Sequence, residues 1–390
     1  MNFAARCHAK AVVVVHPTVL GALRRFLPDF LKTSPALSRD QRRALWAIAH
    51  CRTPALGGRH FACPDHASQF YFAWHSCNHK ACPQCGRAAT VRWVQRELGK
   101  LVEAPYFLVT FTLPAQLRSC FFGPFAKEAY DLFFAAVSGS LSQKLATAKG
   151  LRASVSGFTA VLHTWNQLLG FHPHIHCLVP GAGLNDRGRF VRVKEPDYLV
   201  CQDQLQAAFR EHLRDLFKAH DWQVDPSVWG KTWGVHMKPA GNGAAALKYL
   251  GIYVARTAIS DARLLRLDDG TVTFRWKNRD AGNRREICTL SGVEFVRRYV
   301  RHVLPRGLHS IRSYGFCHPA ARAKRLRIQC HAGGPAQFGA STPLPALKAP
   351  VPLCPCCRQP MQLVKVMMPA YRQRGPPDAP PPVATNFDVS

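Results

Sequence analysis

The sequence predicts an α+β protein built around an antiparallel sheet, and three observations carry that prediction. PYFLVTFTLP, Pro105 to Pro114, is rich in β-branched and aromatic residues and bounded by prolines, the mark of a buried strand. Two more strand-like runs, SGFTAVLHTW (Ser156 to Trp165) and HIHCLVPG (His174 to Gly181), are joined by a connection short enough for an antiparallel hairpin. Stretches of helical periodicity lie around them, clearest in DQLQAAFREHLRDLFKAH, Asp203 to His220.

Residues 1–55 read as a helical region, in which Ser38-Arg39-Asp40-Gln41 forms a capping box before RRALWAIAHC. A zinc-binding domain is expected over 56–98, because the cysteines and histidines from Cys51 to Cys85 sit in sequence too poor in apolar runs to form its own core. The main domain, 99–325, starts with the strand at PYFLVTFTLP and a helix through PFAKEAYDLFFAAVSGSLSQKLATAK, and continues into the hairpin. GAGLNDRGRFVRV follows as a turn and strand, then the helix Asp203 to His220, then a helix from Ala245 to Ser260 after the flexible GNG at 241–243. TVTFRWKN (Thr271 to Asn278) reads as a strand and GVEFVRRYVRHVL (Gly292 to Leu304) as a basic helix. The region 326–390, rich in Arg, Ala and Pro and interrupted by CPCC at 354–357, reads as largely disordered.

Composition narrows the function classes. Over 390 residues, 52 Lys and Arg face 23 Asp and Glu, a formal charge of +29 spread along the chain, which favours a polyanionic partner, above all nucleic acid. No charged leader followed by a long apolar run opens the sequence, so a soluble, cytoplasmic protein with no membrane partner is expected. The 15 cysteines are odd in number and grouped in short pairs, an arrangement that suits zinc in a reducing compartment better than a disulfide framework.

Four constellations can carry chemistry. In the first, CPDH and SCNHKACPQCG offer two chelating pairs, Cys63 with His66 and Cys82 with Cys85, for one tetrahedral zinc; Cys51, Cys77 and His79 compete for places in it. CPCC at 354–357 offers another pair without an evident partner, the nearest choices being Cys317 with His318 and Cys330 with His331. In FHPHIHCLVPG, side chains alternate across a strand, so His174 and His176 share a face suited to a divalent ion, with His163 on the hairpin partner as preferred third ligand and Gln167 and His172 as alternates. In KYLGIYVAR, Tyr249 and Tyr253 are four apart and so on one helical face, and Lys248 and Arg256 beside them suit a phosphate. Together, the last two suggest a metal that polarises a phosphodiester and a tyrosine that attacks it.

FLVTFTLP, LHTWNQLLGFHPHIHCLVPGAG, YLGIYVARTAIS and VRRYVRHVLPRGLHSIRSYGF, in this order and preceded by CRTPALGG and the cysteine cluster, resemble the HUH transposases of insertion sequence family 91, over about residues 10–325. The resemblance implies an HUH endonuclease domain with flanking helices and an enzyme of rolling-circle transposition, acting on single-stranded DNA at element ends through a 5′-phosphotyrosine. It implies His174 and His176 as ligands of Mg²⁺ or Mn²⁺, Tyr249 and Tyr253 as nucleophiles, structural Zn²⁺ in the N-terminal domain, and a bacterial cytoplasm beside the nucleoid. Cys63-Pro-Asp-His66 departs from the CxxC that relatives often carry. The same chemistry would serve a plasmid replication initiator or a relaxase, and a catalytically silent zinc-containing DNA-binding protein would keep the basic surface alone. A histidine-triad nucleotide hydrolase needs neither the zinc cluster nor the positive charge.

Overall fold

Two helices, α1 (Val19–Thr33) and α2 (Arg39–Ala49), lead the chain in the computed structural model, which describes residues 16–33, 37–152, 154–254, 258–278, 280–332 and 351–369. α2 begins with the expected capping box: the Ser38 hydroxyl accepts from the Gln41 backbone N–H at 3.2 Å, and the Gln41 side-chain carbonyl accepts from the Ser38 N–H at 3.0 Å. A hairpin of β1 (Gly58–Ala62) and β2 (Phe70–Trp74) follows, then α3 (Gly86–Leu98).

The main domain starts with β3 (Tyr106–Thr112), a 3₁₀ turn at Ala115–Phe121 and α4 (Ala126–Thr147). Next come β4 (Ser154–Val155), β5 (Gly157–Trp165), β6 (Phe171–Pro180), β7 (Ala182–Asn185) and β8 (Phe190–Arg192), followed by α5 (Gln202–Ala219), β9 (Gly234–Pro239) and α6 (Ala244–Val254). A meander of β10 (Leu264–Leu267), β11 (Thr271–Asn278) and β12 (Arg284–Ser291) leads into α7 (Gly292–Val300). Then β13 (Ile311–Gly315), α8 (Arg322–His331) and β14 (Gln362–Met367) close the described chain.

The central sheet has the order β13-β5-β6-β3-β9, with every neighbouring pair antiparallel. Its two faces follow from strand alternation. Phe107, Val109 and Phe111 of β3, with Ile175, Cys177 and Val179 of β6, pack against Phe133, Phe134, Phe209 and Leu213 of α4 and α5. The intervening residues, among them Leu108, Val161 and Leu178, face Trp93 of α3 and Leu247 and Leu250 of α6. A separate core joins α1 to β11 and α7, through Phe26 and Phe30 against Phe274, Phe295 and Tyr299. No helix among the described residues is long and apolar enough to cross a membrane.

Two expectations need correction. The helix expected over 245–260 runs as Ala244–Val254; residues 255–257 lie outside the described part, and Ala258 and Ile259 are irregular because they bury against the core of α1. α7 ends at Val300 instead of Leu304, short of Pro305, whose ring disfavours helix in the residue before it. Within the C-terminal region read as largely disordered, the described residues are the end of α8 and a segment at 351–369 in which β14 pairs with β1; the rest lies outside the described part. Pairing partners so far apart in sequence leave no local trace in either strand.

Candidate active site and metal centres

β6 lies in the middle of the sheet, so its even-numbered side chains project from the centre of the face covered by α6. His174 pairs directly with His163 of β5, and His176 pairs with Thr110 of β3. One ligand nitrogen from each of His163, His174 and His176 falls within 4.8 Å of the others. His163 is 2% exposed and His176 8%, and burial, then the neighbouring His176 and His174, hold the His163 imidazole well below its ordinary pKa, in the neutral form a metal ligand needs.

Hydrogen bonds orient two of these rings. His174 Nδ1 donates to the His172 carbonyl at 2.7 Å, which presents Nε2 as the lone-pair nitrogen. His176 Nδ1 lies 2.8 Å from the Thr110 hydroxyl, a contact that fixes its ring in the same way. Of the alternates, His172 accepts a hydrogen bond from Arg118 at 2.8 Å, and Gln167 sits in the β5–β6 turn with its carbonyl held by Arg263. Thr110 and Arg118 escape sequence reasoning because nothing local marks them; the pairing of FTLP with HIH, had its register been known, points to Thr110.

α6 lays Tyr249 over this face, with its ring centroid 6.2 Å from that of His176. Tyr253 lies one turn further along the same helix, while the described side chains stop at Gly251. Lys248 is exposed on α6, and Arg256 lies outside the described residues. Gly251, between the two tyrosines, brings α6 close to α3: a Cβ there would lie 2.0 Å from Val94 Cγ2.

The cysteines regroup. The expected set of Cys63, His66, Cys82 and Cys85 does not converge on one point; its halves belong to two separate clusters. Cys82 and Cys85 join Cys51 and Cys77, whose sulfurs lie 3.5 Å (Cys51) and 3.6 Å (Cys77) from Cys85. These are close to the edge of about 3.8 Å that a tetrahedron with Zn–S bonds of about 2.3 Å requires. Hydrogen bonding from Cys77 lowers the Cys82 thiol against its burial, the direction that favours the thiolate a metal ligand needs. His79 Nδ1 accepts from the Ala81 N–H at 3.1 Å and stands outside the cluster. Cys63 and His66 join Cys354 and Cys357 instead; Cys317 and Cys330 take no part.

Comparison with known proteins gives these clusters a context. Residues 157–325 match a family described as "Putative transposase", and residues 22–113 match one described as "Transposase zinc-binding domain". A protein of Sinorhizobium fredii (strain NBRC 101917 / NGR234), described like the first family, is 36% identical over 351 residues, spanning 85% of this chain and 86% of its own. The transposase for insertion sequence element IS801 of Pseudomonas savastanoi pv. phaseolicola is 30% identical over 284 residues, 68% of this chain and 67% of its own. No solved structure matches. The histidine trio and both tyrosines fall within the first matched range; the second takes in Cys51, Cys77, Cys82 and Cys85.

Proposed function

The chain belongs to the IS91/IS801 family of transposases, and on that premise we propose that it cleaves and rejoins single-stranded DNA at insertion-sequence ends by tyrosine attack, in the course of rolling-circle transposition. The observation that supports this reading most is the convergence of His163, His174 and His176 with Tyr249 on one face of the central sheet. Mg²⁺ or Mn²⁺ held by His163, His174 and His176 would supply a Lewis acid for the scissile phosphate. Three nitrogen donors suit Mn²⁺ better than Mg²⁺, which prefers oxygen.

The protein's own groups do the rest. The phenolic oxygen of Tyr249 or Tyr253 bonds to phosphorus as the P–O3′ bond breaks; the phenolic proton leaves and the released 3′-oxygen takes one up. One phosphodiester replaces another, so a 3′-OH can reverse the step without ATP. Tyrosines one turn apart on α6 allow two strands to be held at one metal site in turn. Exposed Lys248 lies beside them for the phosphate, with Arg256 proposed for the same role. Structural Zn²⁺ is assigned to Cys51, Cys77, Cys82 and Cys85 in place of the mixed set expected from sequence.

Unpaired bases also have a platform away from the site. On the β1–β2 hairpin, Phe72 stacks between His60 at 4.6 Å and Trp74 at 5.1 Å, with Phe70 beside it at 5.5 Å. Phe70 is 59% exposed and Phe72 36%, an aromatic ladder open to stacking with bases.

The test is polarity. Single-stranded DNA from an element end, labelled at its 3′ terminus, should become linked to the protein in Mn²⁺, whereas a 5′ label should leave on a free fragment ending in 3′-OH. Linkage of the 5′ label, or cleavage with no linkage at all, overturns the proposal.

A further inference from the structure

We propose that Cys63, His66, Cys354 and Cys357 form a second zinc site, which clasps the C-terminal segment 351–369 onto the N-terminal zinc domain. The four ligand atoms lie within 4.8 Å of one another. Cys63 Sγ is 3.6 Å from both His66 Nδ1 and Cys357 Sγ, and Cys354 Sγ is 4.0 Å from His66 Nδ1. These separations suit one tetrahedral ion with three thiolates and an imidazole. Half of the set lies beyond both matched family ranges, which end at residues 113 and 325.

The local architecture is built for an ion. Each pair is a C-x-x-C/H knuckle in a tight turn: Cys63-Pro-Asp-His66 between β1 and β2, and Cys354-Pro-Cys-Cys357 before β14. The Cys63 N–H donates to the Gln69 carbonyl at 3.0 Å and the Cys354 N–H to the Gln359 carbonyl at 2.9 Å, so both knuckles are closed by backbone bonds. β14 pairs antiparallel with β1, from Gly58 opposite Met367 to Ala62 opposite Gln362, as the edge of the sheet β14-β1-β2. Gly57, at φ 68°, takes the chain past this edge where a Cβ would lie 2.4 Å from the Met367 carbonyl oxygen.

What this sheet lacks is a core. Among the described residues, the apolar cluster at its end is Cys63, Cys354 and Met361, packed by Phe61 and Cys357, and two of those three are proposed ligands. Leu363, Val364 and Val366 of β14 stay at least half exposed. With so little apolar burial, a metal cross-link would add cohesion to the strand pairing and aromatic stacking of this sheet. On binding, the ion displaces the three thiol protons, and His66 enters neutral through Nδ1. The consequence is a chain whose ends meet: strand β14 completes the sheet that carries the aromatic ladder.

The test is zinc content of the full chain by native mass spectrometry, paired with hydrogen exchange. The Cys354→Ser, Cys357→Ser variant should carry one zinc ion fewer than the wild type, whatever zinc the histidine trio takes up in both. In that variant, amides of 58–62 and 362–367 should lose protection, while 106–112 and 171–180 keep it. Cys356→Ser, a change at the exposed neighbour outside the cluster, should keep the wild-type zinc content. Equal zinc content in the double variant and the wild type overturns the proposal, as does unchanged protection of β1 and β14. If the double variant fails to fold, His66→Cys decides: in the Co²⁺-loaded protein its extra thiolate should strengthen the sulfur-to-metal absorption, and an unchanged spectrum refutes the site.

Discussion

Replacing Thr110 with valine keeps the β-branched shape on β3 and removes only the hydroxyl, 2.8 Å from His176 Nδ1, that holds the ring of a proposed metal ligand. A neutral hydrogen bond of this kind contributes about 0.5–1.5 kcal/mol to folding, so the variant should fold with a modest loss of stability. Its effect on the metal should be larger: losing an outer-shell partner of a ligating histidine lowers metal affinity about 10–100-fold, or about 1.4–2.7 kcal/mol. The assay is the Mn²⁺ concentration that half-saturates formation of the covalent DNA adduct. Thr110→Val should raise that concentration by one to two decades (about 10–100-fold) and recover most of the wild-type rate at saturating metal. An unchanged half-saturation would refute the argument, and so would a loss of rate that no metal concentration restores.

Three more outcomes follow from the same structure. Gly251→Ala should push α6 off Val94, at about 1–3 kcal/mol for overpacking, and slow adduct formation; Val94→Ala in the same chain should restore the rate, and absence of rescue would show that the helices do not meet there. His302 is buried, with Nδ1 against the Thr164 hydroxyl and Nε2 against the Leu169 carbonyl, and burial lowers it from 6.5 to about 4. The unfolded chain therefore binds its proton first as pH falls through 6.5. Stability should decline toward pH 4 by up to about 3 kcal/mol, and chemical denaturation of His302→Phe should show a flatter pH profile. Phe70→Ala, at the more exposed end of the ladder, should weaken binding of single-stranded DNA by about 1–3 kcal/mol and leave duplex binding nearly unchanged in a fluorescence titration, since only unpaired bases stack there.

The grouping of the three histidines was legible in the sequence because the signal is local. Alternation along HPHIH puts His174 and His176 on one side of a strand, and the short turn after LHTW brings His163 opposite His174. The tyrosine spacing was equally plain, although a helical repeat does not say against which sheet face it packs. What the sequence hid were the non-local choices. Any of nine cysteines and histidines between residues 51 and 85 can pair with any other by spacing, and the partner of Cys63 and His66 lies 288 residues or more away in CPCC. The same blindness made residues 351–369 look disordered: their order comes from a strand partner and a ligand cluster supplied by the other end of the chain.

The central claim, attack by a tyrosine of α6 on DNA at the histidine site, is tested most directly by mapping the linked nucleotide. The protein is incubated with single-stranded DNA from an element end and Mn²⁺, digested, and the nucleotide-bearing peptide is sequenced by mass spectrometry. The nucleotide is expected on Tyr249 or Tyr253, with no adduct from the Tyr249→Phe, Tyr253→Phe double variant or from His174→Ala. A nucleotide on any other residue, or an adduct that survives both changes, would contradict it.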